Sequence, residues 1–392
     1  MKTVCVVGNF SGRNAGDAAI LDGLLHSVYP LNQDVRFLVP TINKRFVEKT
    51  YNKFPVTAVS LMPWNLSFKI FGLPILTSIL KSDLILLTDA ILFDKDLLNP
   101  VHNYLFTMAL VLPMAKRKNI PVVLYNVSLG PITSSLGGLC MTKVIESSDI
   151  VILRDPSESK PLLESLKLTP KEMHVGADCA LNIHLPQKER IRQINETEGI
   201  FDVPGEYISF NVSTYLDVFV RGKKKGIGHE RFIKIISETM DWITGSLKKK
   251  IVFVITQPMD LKIADLVLNA LQNRKEVTLV SNKTYSHNEI AGILSQVEMH
   301  IGMRTHSLIF ATSSCVPTIG IIATQKNRGY MRTIEQDDRM IEFGDSFTAE
   351  NLKALILDTW NNRQVIREQL SSIVKREKGK ASGGSKYLEK YL

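Results

Sequence analysis

Short, wholly apolar runs rich in β-branched residues alternate along this chain with longer stretches whose apolar residues recur every three or four positions. Runs of the first kind are Thr3–Val7, Val35–Val39, Leu84–Thr88, Val122–Val127, Ile150–Leu153 and the weaker Met173–Val175. Continuous apolar runs without alternation mark strands buried on both faces. Between them, Ile20, Leu21, Leu24, Leu25 and Val28 fall at helical spacing, and Tyr104–Arg117 reads as a helix ended by Asn119 and Pro121. The alternation predicts a parallel, doubly wound sheet. A second series follows: Tyr207–Val212, Ile251–Thr256, Val277–Val280, Val297–Ile301 and Thr318–Ile322, with Phe232–Thr244 among the intervening helices. Ala349–Val374 reads as one or two helices, and the polar run from Lys375 is expected to fray.

With 392 residues the chain is too long for one ordinary core. The pattern places a Rossmann-like domain over residues 1–185 and a polar linker over 186–206, closed by Pro204-Gly205. A second Rossmann-like domain occupies 207–345, and C-terminal helices with a basic tail fill 346–392. Two such α/β domains facing a cleft resemble the arrangement called GT-B.

Candidate chemistry collects at strand ends. Arg304, Thr305 and His306 follow the strand that ends near Ile301, and Lys326 stands at the same end of the next strand. Ligands of open α/β sheets bind at that edge, so a cation and an imidazole there predict a site for a small anion. The loop Gly8–Asp17 links the first strand to the first helix and brings amide groups and a helix dipole to one place. It is not a P-loop, since no Lys-Ser/Thr follows Gly16, and its glycines do not fit GxGxxG. Asp17 is placed to cap the helix. Arg154 follows the strand Ile150–Leu153. The connection 213–228, with Tyr215, Phe219 and Arg221-Gly222-Lys223-Lys224-Lys225, has the length of a functional lid or a disordered segment. Trp64 and Phe68, with Leu61 and Ile70, suit a core or an apolar rim.

Composition narrows the partners. A formal charge of +9, partly in runs at Arg221–Lys225, Lys248–Lys250 and Lys375–Lys380, suits a phosphorylated substrate or an anionic membrane surface. No nucleic-acid motif or aromatic-interleaved basic groove is present. Cys5, Cys140, Cys179 and Cys315 are widely spaced in apolar runs, which argues for a reduced compartment without disulfides. The N-terminal apolar run is too short for a signal peptide and no run reaches a membrane span, so a cytoplasmic protein is expected, with attachment to the inner face of the membrane open. No Asp-x-Asp pair or His/Cys cluster calls for a metal.

The pieces Gly8-Asn9 with Gly16-Asp17 and Ile20, Leu129-Gly130-Pro131, Arg154-Asp155 with Ser159, Ala177-Asp178, and Met303-Arg304-Thr305-His306 through Pro317 to Lys326 come in an order that resembles the polysaccharide pyruvyl transferases. These enzymes move the enolpyruvyl unit of phosphoenolpyruvate onto a sugar as a pyruvate ketal. The resemblance implies that Arg154, His306 and Lys326 contact phosphoenolpyruvate, with Arg304 beside them, in the second, donor-side domain and its neighbour. It also implies that the Gly12–Asp17 loop faces the acceptor, with Asn9, Gly12, Asn14 and Gly16 as contacts. His306 becomes acid/base or phosphate ligand, and Asp17 positions or deprotonates the acceptor. No cofactor is implied beyond phosphoenolpyruvate as co-substrate; the acceptor is a sugar or a lipid- or nucleotide-linked saccharide.

Two departures concern the acceptor. Asp89-Ala90-Ile91 stands where the family often has a glycine cluster, and Ala323-Thr324-Gln325 where an aromatic commonly precedes the lysine. The rival readings are a GT-B nucleotide-sugar glycosyltransferase, for which Glu335 would grip a ribose, and a catalytically degenerate member of the family.

Overall fold

The structure is a computed structural model that describes residues 1–60, 73–98, 103–214 and 228–392. The expected lid residues Tyr215, Phe219 and Arg221–Lys225, and the Trp64–Phe68 stretch, lie outside the described residues. The chain forms two compact units. The first comprises Met1–Gly12, Asp17–Asn182 and Glu377–Leu392; the second comprises Arg13–Gly16 and Ile183–Arg376.

The first unit carries seven parallel strands, β1 (Lys2–Val7), β2 (Val35–Thr41), β3 (Val56–Ser60), β4 (Leu84–Leu92), β5 (Val122–Leu129), β6 (Ile150–Leu153) and β7 (Met173–Val175), in the order β3-β2-β1-β4-β5-β6-β7. The second has six, β8 (Tyr207–Phe210), β9 (Lys250–Ile255), β10 (Val277–Ser281), β11 (Met299–Gly302), β12 (Thr318–Ile322) and β13 (Met340–Glu342), in the order β10-β9-β8-β11-β12-β13. In both sheets the order reverses at the first strand, so the switch points lie between β1 and β4 and between β8 and β11. Crevices at the carboxyl ends of such strands are where α/β sheets hold ligands.

The inner strands are buried throughout, as their apolar runs demand: every residue of β5, β6, β8, β11 and β12 is buried. Leu87, Leu124 and Leu153 pack with Met108, Leu112 and Met141 in the first unit. Phe210, Phe253 and Ile319 pack with Ile236, Phe347 and Ile356 in the second. Burying each such side chain contributes roughly 1.5–3 kcal/mol before entropy is subtracted. β3 and β13 were not among the strands expected, and one residue of each is buried, so no apolar run announces them. Cys5 and Cys179 belong to the core, where burial pushes both thiols up to about 12 and keeps them neutral. All four cysteines are free.

Three local readings change. Residues 186–206 contain a helix, Lys188–Glu198, that belongs to the second unit and ends at Gly199 with φ 63°. It looks like a linker because a single residue, Ile194, is buried within it. Asn195 Nδ2 donates to Gln296 Oε1 at 2.8 Å, and Arg190 pairs with Glu289, anchoring its polar residues. The run from Lys375 stays ordered as helix Arg363–Gly383 and a 3-10 turn, Gly384–Leu388. From Glu377 it counts with the first unit, where Asn126 Nδ2 donates to the Ala381 carbonyl at 2.8 Å and Leu388 is fully buried. Finally, the first helix starts at Ala15, two residues before the expected cap. Asn14 Oδ1 accepts the Gly16 amide at 2.9 Å, so the capping task falls to Asn14 and Asp17 lies inside the first turn.

Candidate functional site

At the carboxyl edge of the second sheet, β11 ends at Gly302 and the helix Thr305–Thr312 starts three residues later. Arg304 lies between them in extended conformation, so its side chain leaves the strand end at the switch point. Its guanidinium lies along a buried carboxylate: Nε reaches Asp260 Oδ2 and Nη2 reaches Asp260 Oδ1, both at 2.8 Å. Its amide donates to Asn211 Oδ1 at 2.9 Å. Asn211 follows β8 and Asp260 follows β9, so loops after three strands meet around one arginine.

His306 is two residues further, in the first turn of that helix. Its ring rests directly on Gly16: a methyl group built there would lie 2.0 Å from His306 Nδ1. Glycine is therefore required at Gly16 by close approach. The Ala15 amide donates to the Thr256 carbonyl at 2.9 Å, and Asn282 Nδ2 to the Arg13 carbonyl at 3.2 Å. These bonds explain why Arg13–Gly16, so early in the chain, counts with the second unit. The structure thus brings Asn14, Gly16, Arg304 and His306 into one unit.

Lys326 stands in the first turn of the helix Gln325–Thr333, after β12. Buried Asn327 ties this helix start to the one that carries His306. Its Oδ1 accepts from Thr305 Oγ1 at 2.8 Å and Thr324 Oγ1 at 2.7 Å, and its Nδ2 donates to the Met303 carbonyl at 2.6 Å. Two helix N-termini are held at the same edge, each carrying partial positive charge. Beneath them His300 is fully buried, with Nδ1 2.8 Å from Ser209 Oγ and Nε2 3.0 Å from Ser307 Oγ. Burial lowers its pKa from the ordinary 6.5 to about 3, so it serves as a neutral strut.

Arg154, Asp17, Asn9 and Gly12 belong to the first unit. Arg154 follows β6; its Nη1 lies 2.7 Å from Asp178 Oδ2 and its Nη2 3.7 Å from Asp89 Oδ1. All three side chains are less than a tenth exposed. Burial alone would lower the arginine pKa, but Asp178, Asp89 and Asp155 outweigh it and raise it. Asp89 occupies a left-handed conformation, φ 73°, where the β4–β5 register shifts. That bulge re-aims its carboxylate, which also accepts the Ala90 amide at 2.6 Å. Asp155 accepts from the hydroxyls of Ser128 and Ser159, and Ser159 Oγ accepts the Leu129 amide at 3.1 Å. Nearby, burial would raise the Asp94 carboxyl, yet the Thr133 and Ser134 amides and hydroxyls hold it below its ordinary value. In the glycine loop, Asn9 Nδ2 donates to buried Asp17 Oδ2 at 2.9 Å. Gly12 takes φ 76°, with the Phe46 ring against it.

Asp260, Asn211, Asn327 and His300 are the residues that reading the sequence passes over. Their signal is position alone: Asn211 follows β8 at once, Asp260 lies five residues after β9, and Asn327 lies five residues after β12. Glu335, the carboxylate of the glycosyltransferase reading, is paired with Arg376 at 2.9 Å.

No helix among the described residues is long and apolar enough to cross a membrane. A search of curated proteins finds no significant match. Similar solved structures include UDP-GlcNAc 2-epimerase from Neisseria meningitidis bound to UDP-GlcNAc, with TM-score 0.67 and 14% identity over 100% of this chain and 99% of that one. Anabaena Alr3699/HepE in complex with UDP-glucose aligns with TM-score 0.64 and 12% identity, over 100% and 99%. S. aureus MnaA with UDP gives TM-score 0.64 and 10% identity, over 99% and 95%. Likeness at such low identity concerns the fold, the two-sheet α/β type of GT-B nucleotide-sugar enzymes. The family model for polysaccharide pyruvyl transferase matches residues 14–323, which reaches from the glycine loop through Arg154 and the Arg304–His306 segment to the end of β12. This chain, with its arginine and histidine set at the switch point of the second sheet, belongs to the polysaccharide pyruvyl transferase family, and is a transferase.

Proposed function

We propose that this protein transfers the enolpyruvyl group of phosphoenolpyruvate to a sugar of a surface polysaccharide or its precursor, closing a pyruvate ketal and releasing phosphate. The observation that carries the reading is His306 seated on Gly16, with Arg304 locked two residues before it and Lys326 at the adjacent strand end. Phosphoenolpyruvate packs a carboxylate and a phosphate, about three negative charges, onto a small frame; guanidinium and ammonium groups suit such oxyanions.

The chemistry balances on simple proton movements. A proton is delivered to the methylene carbon, which becomes the methyl group. A sugar hydroxyl adds to the neighbouring carbon and gives up its proton. The carbon–oxygen bond to phosphate breaks, and phosphate leaves with one proton. A second hydroxyl of the same sugar closes the ring, and its proton replaces the one consumed. His306 is the group proposed to move the proton or to hold the phosphate, since imidazole exchanges protons near neutral pH. Arg304 and Lys326 hold the donor, and Arg154 joins them on the strength of the family resemblance. Asn9, Gly12, Asn14 and Gly16 line the acceptor, and Asp17, held by Asn9, orients or deprotonates its hydroxyl. The expected place of work is the cytoplasm or the inner face of the membrane, on a free, lipid-linked or nucleotide-linked saccharide.

The test is product analysis. Purified protein incubated with phosphoenolpyruvate and saccharide acceptors should release phosphate and yield a ketal-bearing product by mass spectrometry. Release of UDP from a sugar nucleotide, with no phosphate from phosphoenolpyruvate, would instead establish the glycosyltransferase reading.

A further inference from the structure

Asp260 is fully buried in the 3-10 turn Pro258–Asp260 that follows β9. A carboxylate taken out of water this completely is costly unless every lone pair is engaged. Here the Thr214 amide and hydroxyl donate to Oδ1 at 2.9 and 3.0 Å, and Arg304 adds its two bonds at 2.8 Å. The arginine fork is planar, so two parallel bonds along its Nε–Nη2 edge fix the whole guanidinium plane. With the Nε–Nη2 edge spent on Asp260, the Nη1 side is what this guanidinium, in a side chain that is 23% exposed, can offer a ligand. Asn211 holds the same residue by its amide, so Arg304 is fixed at both ends.

We propose that Asp260 is a positioning residue for donor binding, which sets the Arg304 guanidinium so that its Nη1 side meets the planar carboxylate or phosphate of the anionic donor. It acts through Arg304 and does not touch the donor itself. The inference rests on the pyruvyl-transfer reading and adds to it a residue that decides how tightly the donor is held. Once Asp260 is neutralised, the guanidinium turns about its side-chain torsions, and the donor loses an aligned pair of hydrogen bonds while the proton-moving group is untouched.

The experiment uses the full chain. Phosphoenolpyruvate is titrated calorimetrically into wild type, Asp260→Asn, Arg304→Ala, the double variant and Thr214→Val, with phosphate release measured in parallel. Asp260→Asn should weaken donor binding about tenfold or more and raise KM alike, while kcat at saturating donor stays within about threefold. The double variant should bind no more weakly than Arg304→Ala alone, because the two residues act as one unit. Thr214→Val, which keeps the charge and loosens the carboxylate, should weaken binding about two- to threefold and decides the matter if Asp260→Asn does not fold. Equal donor affinity in wild type and Asp260→Asn, additive losses in the double variant, or an unchanged Thr214→Val where it is the deciding variant would overturn the proposal alone. Wild type that binds no phosphoenolpyruvate would overturn it together with the reading beneath it.

Discussion

The carboxyl edges of the two sheets share a topology and differ in charge. At the first edge one guanidinium, Arg154, meets Asp178 and Asp89, with Asp155 close enough to raise its pKa as well. At the second, Arg304 meets one carboxylate, Asp260, and Lys326 stands in the first turn of the adjacent helix. Among the described residues, the carboxylates around Arg154 therefore outnumber it, and Asp155 already accepts from the hydroxyls of Ser128 and Ser159. The second edge, among the described residues, balances its buried acid Asp260 and adds an ammonium, an imidazole and two helix N-termini. A surplus of carboxylate suits a neutral, hydroxyl-rich partner; a balanced or positive edge suits an anion. The difference teaches that one architecture can present opposite chemistries by changing three or four loop residues.

The comparison breaks most visibly at Arg154. Arg154→Ala leaves two buried carboxylates without their cation, and the loss should be about 3–5 kcal/mol of stability, seen as a lower thermal midpoint. A raised KM for phosphoenolpyruvate in the same variant would support its proposed part in holding the donor, and an unchanged KM would confine it to its own edge. Next is His306→Ala, which should cut turnover at least about a hundredfold with the midpoint unchanged. Turnover close to wild type would remove His306 from the chemistry. Lys326→Met should raise the donor KM about tenfold and lower kcat much less, since it takes away charge and leaves the proton carrier. A kcat loss without a KM change would place the lysine in the chemical step.

The gentlest test is pH. His300 has a folded-state pKa lowered by burial, so unfolding lets it take up a proton. Its contribution is fully present above the ordinary value of 6.5 and is lost as pH falls toward about 3. Stability should drop by up to about 1.4 kcal/mol per pH unit in that window, and His300→Asn should flatten the slope. Denaturant midpoints across pH for the two proteins check this; identical slopes would show that the imidazole is protonated or solvated in the folded state.

Much of the molecule could be read without coordinates. Apolar runs such as Val122–Val127 and Thr318–Ile322 are buried on both faces, as in a covered parallel sheet, so the fold class and the inner strands follow from the pattern along the chain, while the edge strands β3 and β13, with one buried residue each, do not. Arg304, His306 and Lys326 were legible because each follows a strand whose end can be located. Harder to read were elements held by contacts that run length cannot register. Helix Lys188–Glu198 keeps a single residue fully inside, and the segment after Lys375 is polar in sequence yet ordered by bonds such as Asn126 to Ala381, 255 positions apart.

Periodicity and strand-end position alone determined two doubly wound sheets and placed an arginine, an imidazole and a lysine at the ends of adjacent strands, because burial on a sheet leaves a one-dimensional trace. Only the tertiary structure decided that Asp260 locks Arg304, that Gly16 lies under His306, and that Arg154 faces two acids. Those pairings join loops 44, 290 and 24 to 65 residues apart, and hydrogen-bond geometry between distant loops leaves no period in a sequence.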